Sequence, residues 1–380
     1  MSRRAGTAVV AAADSVTALA AIRSLGRAGL RVLVLNDSPR AVGLRSRFAE
    51  HVACPDPRND EAGFIDAMEN LASGLPARVP IFPTSDAYLN SIARHGERLA
   101  GSFLFPFPIG DALLRIQQKS YQVEQAAQLG IPIPRTSKTA TAEFGFPVLV
   151  KPSDPVGFVD AFGVKGMQCN SLEEAERAVE RAQPFDPLVQ EWIPGGDEQL
   201  YFLGAYLSPK AEARGIFTGR KIRQIPPGIG TTRVGESIRI PRVEELGVAY
   251  LKGIGCHGLS DVEFKLDPRD GELKFMEVNP RLGQWHGLAA AAGVDLPLIA
   301  YRDLMGESVP PSRQIEATKR WAMTFLSGSG HERPGLGGSG PVFAKLPYTD
   351  AVFAHDDPWP FVVQLGMIAR GLGRRIARSR

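Results

Sequence analysis

The chain has 380 residues, room for two or three domains of ordinary size, and its 44% hydrophobic and 22% charged residues are the balance of a soluble globular protein. A net charge of only +3, with no basic run interleaved with aromatics on the scale such a surface needs, excludes a dedicated nucleic-acid binder. Cys54, Cys169 and Cys256 stand far apart in no metal-ligand spacing, which predicts packing roles and a reduced, cytoplasmic setting.

Arg3-Arg4 followed by TAVVAAADSVTALAA has the outline of a secretory leader, but Asp14 interrupts the apolar run. The run also continues into a second strand pattern, so it reads as structure. No window holds the roughly 18 uninterrupted apolar residues of a membrane span. Residues 7–13 predict a buried strand, Asp14 or Ser15 a helix cap, and residues 31–37 a second buried strand. Together they form a parallel βαβ unit. Its first turn, AAADSV, lacks the glycines of a dinucleotide fingerprint, which disfavours a nicotinamide dehydrogenase. Residues 79–96 add a strand, loop and helix. Thr84, Ser85 and Asp86 fall at that strand's end, where open α/β sheets bind ligands.

A change of pattern near Asp111 marks the first domain boundary, giving an α/β domain over 1–110. An amphipathic helix then ends at a glycine and runs into Pro-punctuated chain over 120–136. FPVLVKP is extended and is followed by the loop SDPVGFVDAFGVKG, a helix from about Ser171, the strand VQEW, the turn PGGDE and the strand QLYFLGAYL. VEFKLDPRDGELKFMEVNPRLG (262–283) reads as a hairpin turning near Asp270-Gly271. Alternation puts Val262, Phe264 and Leu266 on one face with Met276 and Val278. It sets Glu263 opposite Glu277 on the other face, with Asn279 beyond. Like charges so opposed are unfavourable unless water or a cation intervenes. Residues 309–340 read as loop. The C-terminal segment, with Arg370, Arg374, Arg375, Arg378 and Arg380, predicts a basic amphipathic helix that packs on the body or lies on an anionic membrane.

The middle of the chain thus collects two lysines, Lys119 ahead of the amphipathic helix and Lys151 at the end of the FPVLVKP strand, a glycine-bearing loop with Lys165, and two carboxylates with an amide oxygen. Lysines and loop N–H groups suit phosphates, and the oxygen ligands suit Mg²⁺, so the parts describe an ATP site. Taken in order, FPVLVKP, the glycine loop, QEWIPGGDE, VEFK and EVNPR resemble the ATP-grasp superfamily. TGRKIRQIPPGIGTT and EVNPRLGQWHGLAAAAGVDLP resemble its D-aspartate ligase and carbamoyl-phosphate-synthase-like group of carboxylate–amine ligases. The resemblance implies a parallel-sheet domain of the kind that precedes this fold over 1–110, and an α+β ATP-grasp domain with antiparallel sheets over 111–308. It also implies a lid at about 140–205 and an extension over 309–380.

By the same resemblance, Lys119 and Lys151 hold ATP phosphates and Lys165 belongs to the loop above them. Glu191 and the backbone of Trp192 and Ile193 meet the adenine edge, and Glu198 meets the ribose. Glu263, Glu277 and Asn279 ligate Mg²⁺, as a pair of ions with Mn²⁺ as a substitute, and Arg281 steadies the transferred phosphoryl group. The glycine loop departs from the compact glycine run of many members, because Phe158 and Phe162 lengthen it.

Each residue also has a bland reading. The hairpin acids could be the solvated face of a ribbon, Lys151 an exposed strand end and Lys119 a helix-start lysine. Arg220, Lys221 and Arg223 are either a solvated basic loop or, with Arg220 foremost, fixed cations for a carboxylate and a migrating phosphoryl group. Trp285 and His286 either line an acceptor pocket or pack structurally.

The expectation is an ATP- and Mg²⁺-dependent ligase that activates a carboxylate as an acyl phosphate and joins it to an amine. The alternatives are a bicarbonate- or ammonia-using enzyme and a silent ATP-binding regulator. Small-molecule carboxylate and amine substrates are the partners, with a homodimer and membrane contact of the C-terminal helix left open.

Overall fold

Strands alternating with helices build the first layer. β1 (Thr7–Ala11) leads into α1 (Val16–Arg27), whose start is capped by the Ser15 hydroxyl accepting from the Ala18 amide. Then come β2 (Arg31–Asn36), β3 (Ala49–Ala53), α2 (Glu61–Ser73), β4 (Val79–Pro83), α3 (Asp86–Arg94), α4 (Gly96–Leu99) and β5 (Phe103–Leu104). All pair in parallel in the order β3-β2-β1-β4-β5. The order reverses between β1 and β4, and Asp86 sits just past the carboxyl end of β4. This is the crevice where such sheets hold ligands. The structure is a computed structural model that describes residues 6–153, 157–323 and 348–367.

After α5 (Asp111–Gln117) and α6 (Lys119–Gln128) comes a small antiparallel sheet in the order β6-β9-β7-β8. Its strands are β6 (Thr136–Ser137), β7 (Val148–Pro152), β8 (Met167–Cys169) and β9 (Pro187–Glu191). The glycine loop is largely a helical turn, α7 (Phe158–Phe162). With α8 (Leu172–Ala182) it closes a separate core in which Phe158, Phe162 and Phe185 meet edge to face or tilted.

The largest sheet comprises β10 (Leu200–Leu207), β11 (Ala213–Ile225), β12 (Thr231–Ser237), β13 (Gly258–Leu266) and β14 (Leu273–Asn279), with α9 (Pro241–Gly253), α10 (His286–Ala291) and α11 (Leu296–Leu304). The stretch expected as loop contributes strands instead. β15 (Ser312–Arg313) joins β11, and β16 (Arg320–Ala322) joins β12 and β17 (Tyr348–Asp350), so the order is β14-β13-β10-β11-β12-β16-β17. Their backbone partners are distant in sequence, which local composition does not signal. Trp285 stacks on Phe202 with ring centres 3.9 Å apart and meets Trp321 at 5.6 Å. These rings share one core with Val10, Val34 and Phe82, so the N-terminal sheet and the large sheet are held as one platform. Residues 359–367 are helical, and the arginines 370–380 of the expected basic helix lie outside the described residues. Among the described residues no helix is long and apolar enough to cross a membrane.

Candidate active site

The β13–β14 ladder sets Glu263 directly opposite Glu277, as the alternation predicted, and also places Asp261 opposite Asn279. A register shift follows Glu263, so Phe264 faces Phe275 rather than Met276. The extra residue of a bulge rotates Met276 off the core and leaves it half-buried beside the cleft. The opposed carboxylates each have an ammonium. Lys221 Nζ lies 2.7 Å from Glu263 Oε2, and Lys119 Nζ lies 2.9 Å from Glu277 Oε2. Lys119 outweighs burial and holds the Glu277 carboxyl far below the usual carboxylate range.

Helix α6 is stapled to β14 by a buried residue that sequence reading passed over. Gln122 Nε2 donates to the Ile116 and Val278 carbonyls, and its Oε1 accepts from the Val278 amide. Lys119, one helical turn earlier, is thereby set against Glu277. Lys151 leaves the end of β7 only 5% exposed, and burial, with the charge of Lys119, pushes its ammonium down to about 7. Its one described hydrogen bond is a long 3.4 Å contact to the Met276 carbonyl.

These groups surround two adjoining cavities of about 290 and 140 Å³. Lys119, Lys165, Lys221, Glu263 and Glu277 line both. The smaller one adds Lys151, Gln190 and Met276, and the larger adds Asp86, Asp261, Asn279, Arg281 and Trp285. Arg281, just past β14, forks onto Asp86 at the start of α3, at 2.6 Å (Nε to Oδ1) and 3.1 Å (Nη2 to Oδ2). Against burial, Arg281 holds the Asp86 carboxyl below its ordinary range. Burial pushes the Asp261 carboxyl up to about 8, with Glu263 adding to the rise and Arg281 and Lys221 opposing it. Asp261 was legible in principle, since it lies two residues before Glu263 on the same face of one strand.

Other expected residues lie elsewhere. Arg220 does not line either cavity; it pairs with Glu236 at 2.6 Å, while its neighbour Lys221 turns inward. The Glu191 carboxylate accepts from the Arg135 amide and Nε at 2.8 and 2.9 Å and from Arg269 at 3.3 Å. It is therefore committed to two arginines. Buried Lys265, from VEFK, braces the backbone after Glu191 by donating to the Ile193 and Gly195 carbonyls at 2.8 and 3.2 Å, with its ammonium over the Trp192 ring. Asp197 ties down the β11–β12 turn through the Gln224 and Gly228 amides, and Glu198 stands exposed beside it. The Thr84 hydroxyl is spent on the Ala12 carbonyl, and His286 is buried with neither ring nitrogen bonded among the described residues.

No group of three or more acidic, His or Cys side chains among the described residues is gathered tightly enough to hold a metal. Two carboxylates and an amide oxygen are nevertheless the donor set expected where Mg²⁺ shares its shell with phosphates and water. The lysines paired with those carboxylates, Lys119 and Lys221, line both cavities beside them.

The family "Carbamoyl-phosphate synthase L chain, ATP binding domain" matches residues 239–310. The chain is 25% identical to a D-aspartate ligase of Enterococcus faecium, over 63% of this chain and 63% of that one. It is 24% identical to the carbamoyl phosphate synthase large chain of Myxococcus xanthus, over 77% of this chain and 28% of that one. It thus spans under two thirds of the one curated relative and under a third of the other. Among solved structures it resembles the biotin carboxylase domain of Hydrogenobacter thermophilus 2-oxoglutarate carboxylase, solved with MgADP, ADP and bicarbonate. That likeness has a TM-score of 0.63 at 20% identity and covers 82% of this chain and 72% of that one.

Proposed function

We propose that this chain, whose fold is that of the ATP-grasp superfamily, joins a carboxylate to an amine at the expense of ATP. The observation that carries the reading is the arrangement at the sheet crevice. Two carboxylates face each other, each paired with a lysine suited to phosphate, beside an arginine anchored by Asp86 at the start of α3.

In this reading Lys119, Lys151 and Lys165 hold the phosphates and the Trp192–Ile193 backbone holds the base, with Glu198 beside the ribose. Glu263, Glu277 and Asn279 hold Mg²⁺, as a pair of ions for which Mn²⁺ can substitute. Bound there, the metal supplies neutralisation of the phosphate charge. Arg281 and Lys221 steady the phosphoryl group as a carboxylate oxygen of the substrate attacks the γ-phosphorus and ADP departs. The neutral amine nitrogen then attacks the acyl phosphate carbonyl, the C–O bond pair leaves with inorganic phosphate, and the proton lost by the nitrogen passes to that phosphate. No nucleophilic side chain is needed, so positioning and electrostatics dominate the rate.

Mg²⁺-dependent ADP release across a panel of carboxylates and amines tests the reading, and no release with any pair counts against it. Glu277→Ala is expected to abolish turnover with the fold intact; unchanged activity removes the metal assignment. The similarity to carbamoyl phosphate synthase supports a second reading, which ADP release with bicarbonate and no organic acid would favour.

A further inference from the structure

Four carboxylates line the larger cavity, and three have a cation in hydrogen-bond contact: Glu277 has Lys119, Glu263 has Lys221 and Asp86 has Arg281. Asp261 is the exception. It is only 5% exposed, and its Oδ1 has no hydrogen-bond partner among the described residues. A buried carboxylate oxygen without a partner is costly, and native structures tolerate one chiefly where something else completes it.

Its place is prepared by the backbone. A methyl group at Gly283 would collide with Asp261 Oδ2, so the absent side chain there admits the carboxylate. Gly204 on β10 leaves room on the other side, where an added Cβ would stand 3.4 Å from Oδ1. Asp261 lines the larger cavity with Asp86 and Arg281 but not the smaller one that holds Lys151. It therefore stands with Asp86 and Arg281 rather than beside Lys151.

Building on the ligase reading, we propose that Asp261 is the amine-binding residue, its carboxyl group, which no cation of the site engages, accepting an N–H of the nucleophile and holding the nitrogen beside the acyl phosphate.

The test separates the two half-reactions. Acyl phosphate is trapped with concentrated hydroxylamine, a small uncharged nucleophile that needs no anchoring, and read as hydroxamate. Amide formation is measured with ammonium chloride and the common L- and D-amino acids as nucleophiles. Asp261→Asn should keep hydroxamate formation within about threefold of the unmodified enzyme and lower kcat/KM for the amine about 10- to 100-fold, the range of a charged hydrogen bond. Gly283→Ala, which displaces the carboxylate while keeping it, should show the same selective loss. Thermal unfolding with and without Mg-ATP checks the fold of both. Equal loss of hydroxamate and amide with weakened Mg-ATP binding would make Asp261 a metal or structural group and overturn the inference. So would two variants unchanged in both assays. If the unmodified enzyme forms neither ADP nor hydroxamate with any acid, the ligase reading itself falls.

Discussion

In the free protein the Lys119 ammonium occupies the Glu277 carboxylate that Mg²⁺ is proposed to take, so Lys119→Met should change metal and nucleotide binding in opposite directions. At 2.9 Å, with an effective dielectric of about 20, the pair attracts by about 6 kcal/mol. Desolvation and the 17% and 29% exposure of the two side chains reduce the net coupling to about 1–3 kcal/mol. An ion entering without nucleotide must overcome that coupling, because no phosphate is present to receive the lysine. Removing Lys119 should therefore raise affinity for Mg²⁺ alone about 5- to 150-fold. The same change removes a charged hydrogen bond to phosphate and should weaken ATP binding about tenfold or more. Isothermal titrations with MgCl₂ alone and with ATP at saturating Mg²⁺ read the two effects. A merely structural lysine would weaken both, and a variant that binds Mg²⁺ no better than the unmodified protein refutes the reasoning.

Lys151 sets a pH signature. With its ammonium near 7 in the free protein, it is largely neutral at pH 8 and charged at pH 6. Phosphate oxygens favour the charged form, so ATP binding should take up a proton at pH 8 and little at pH 6. Titration in buffers of different ionisation enthalpy reads this uptake, and Lys151→Met should abolish it. Arg220→Met, at a residue paired with Glu236 away from the cavity, should leave turnover within about threefold, whereas Lys221→Met should lower kcat by about tenfold or more. Equal losses would return Arg220 to the site. Gly235 leaves no room for a methyl group against Trp285, so Gly235→Ala should cost about 1–3 kcal/mol in chemical unfolding through overpacking. An unchanged midpoint would show that the stacked rings can move.

Much of the site was legible because it is written locally. A period-two pattern around a turn at Asp270 and Gly271 is enough to oppose Glu263 and Glu277, since a one-residue slip would turn the apolar face outward. The order of strand, loop and turn motifs likewise singled out Lys119, Lys151 and Lys165, which the fold gathers around the same two cavities. Single-residue departures were less visible. The bulge that exchanges Phe275 for Met276 leaves no mark on composition. Which of two adjacent basic residues, Arg220 or Lys221, faces inward depends on the pairing of β11 with its neighbours.

The sequence by itself determined the βαβ unit, the hairpin and the chemistry of its polar face, because these follow from backbone periodicity and turn propensity over short spans. Only the tertiary structure decided that Asp86 anchors Arg281, that Gln122 fixes Lys119 against Glu277, and that Gly283 admits the unpaired carboxylate of Asp261. Those partners come from segments far apart in the chain. Their meeting depends on the shared core around Trp285 and on desolvation, which no local pattern encodes.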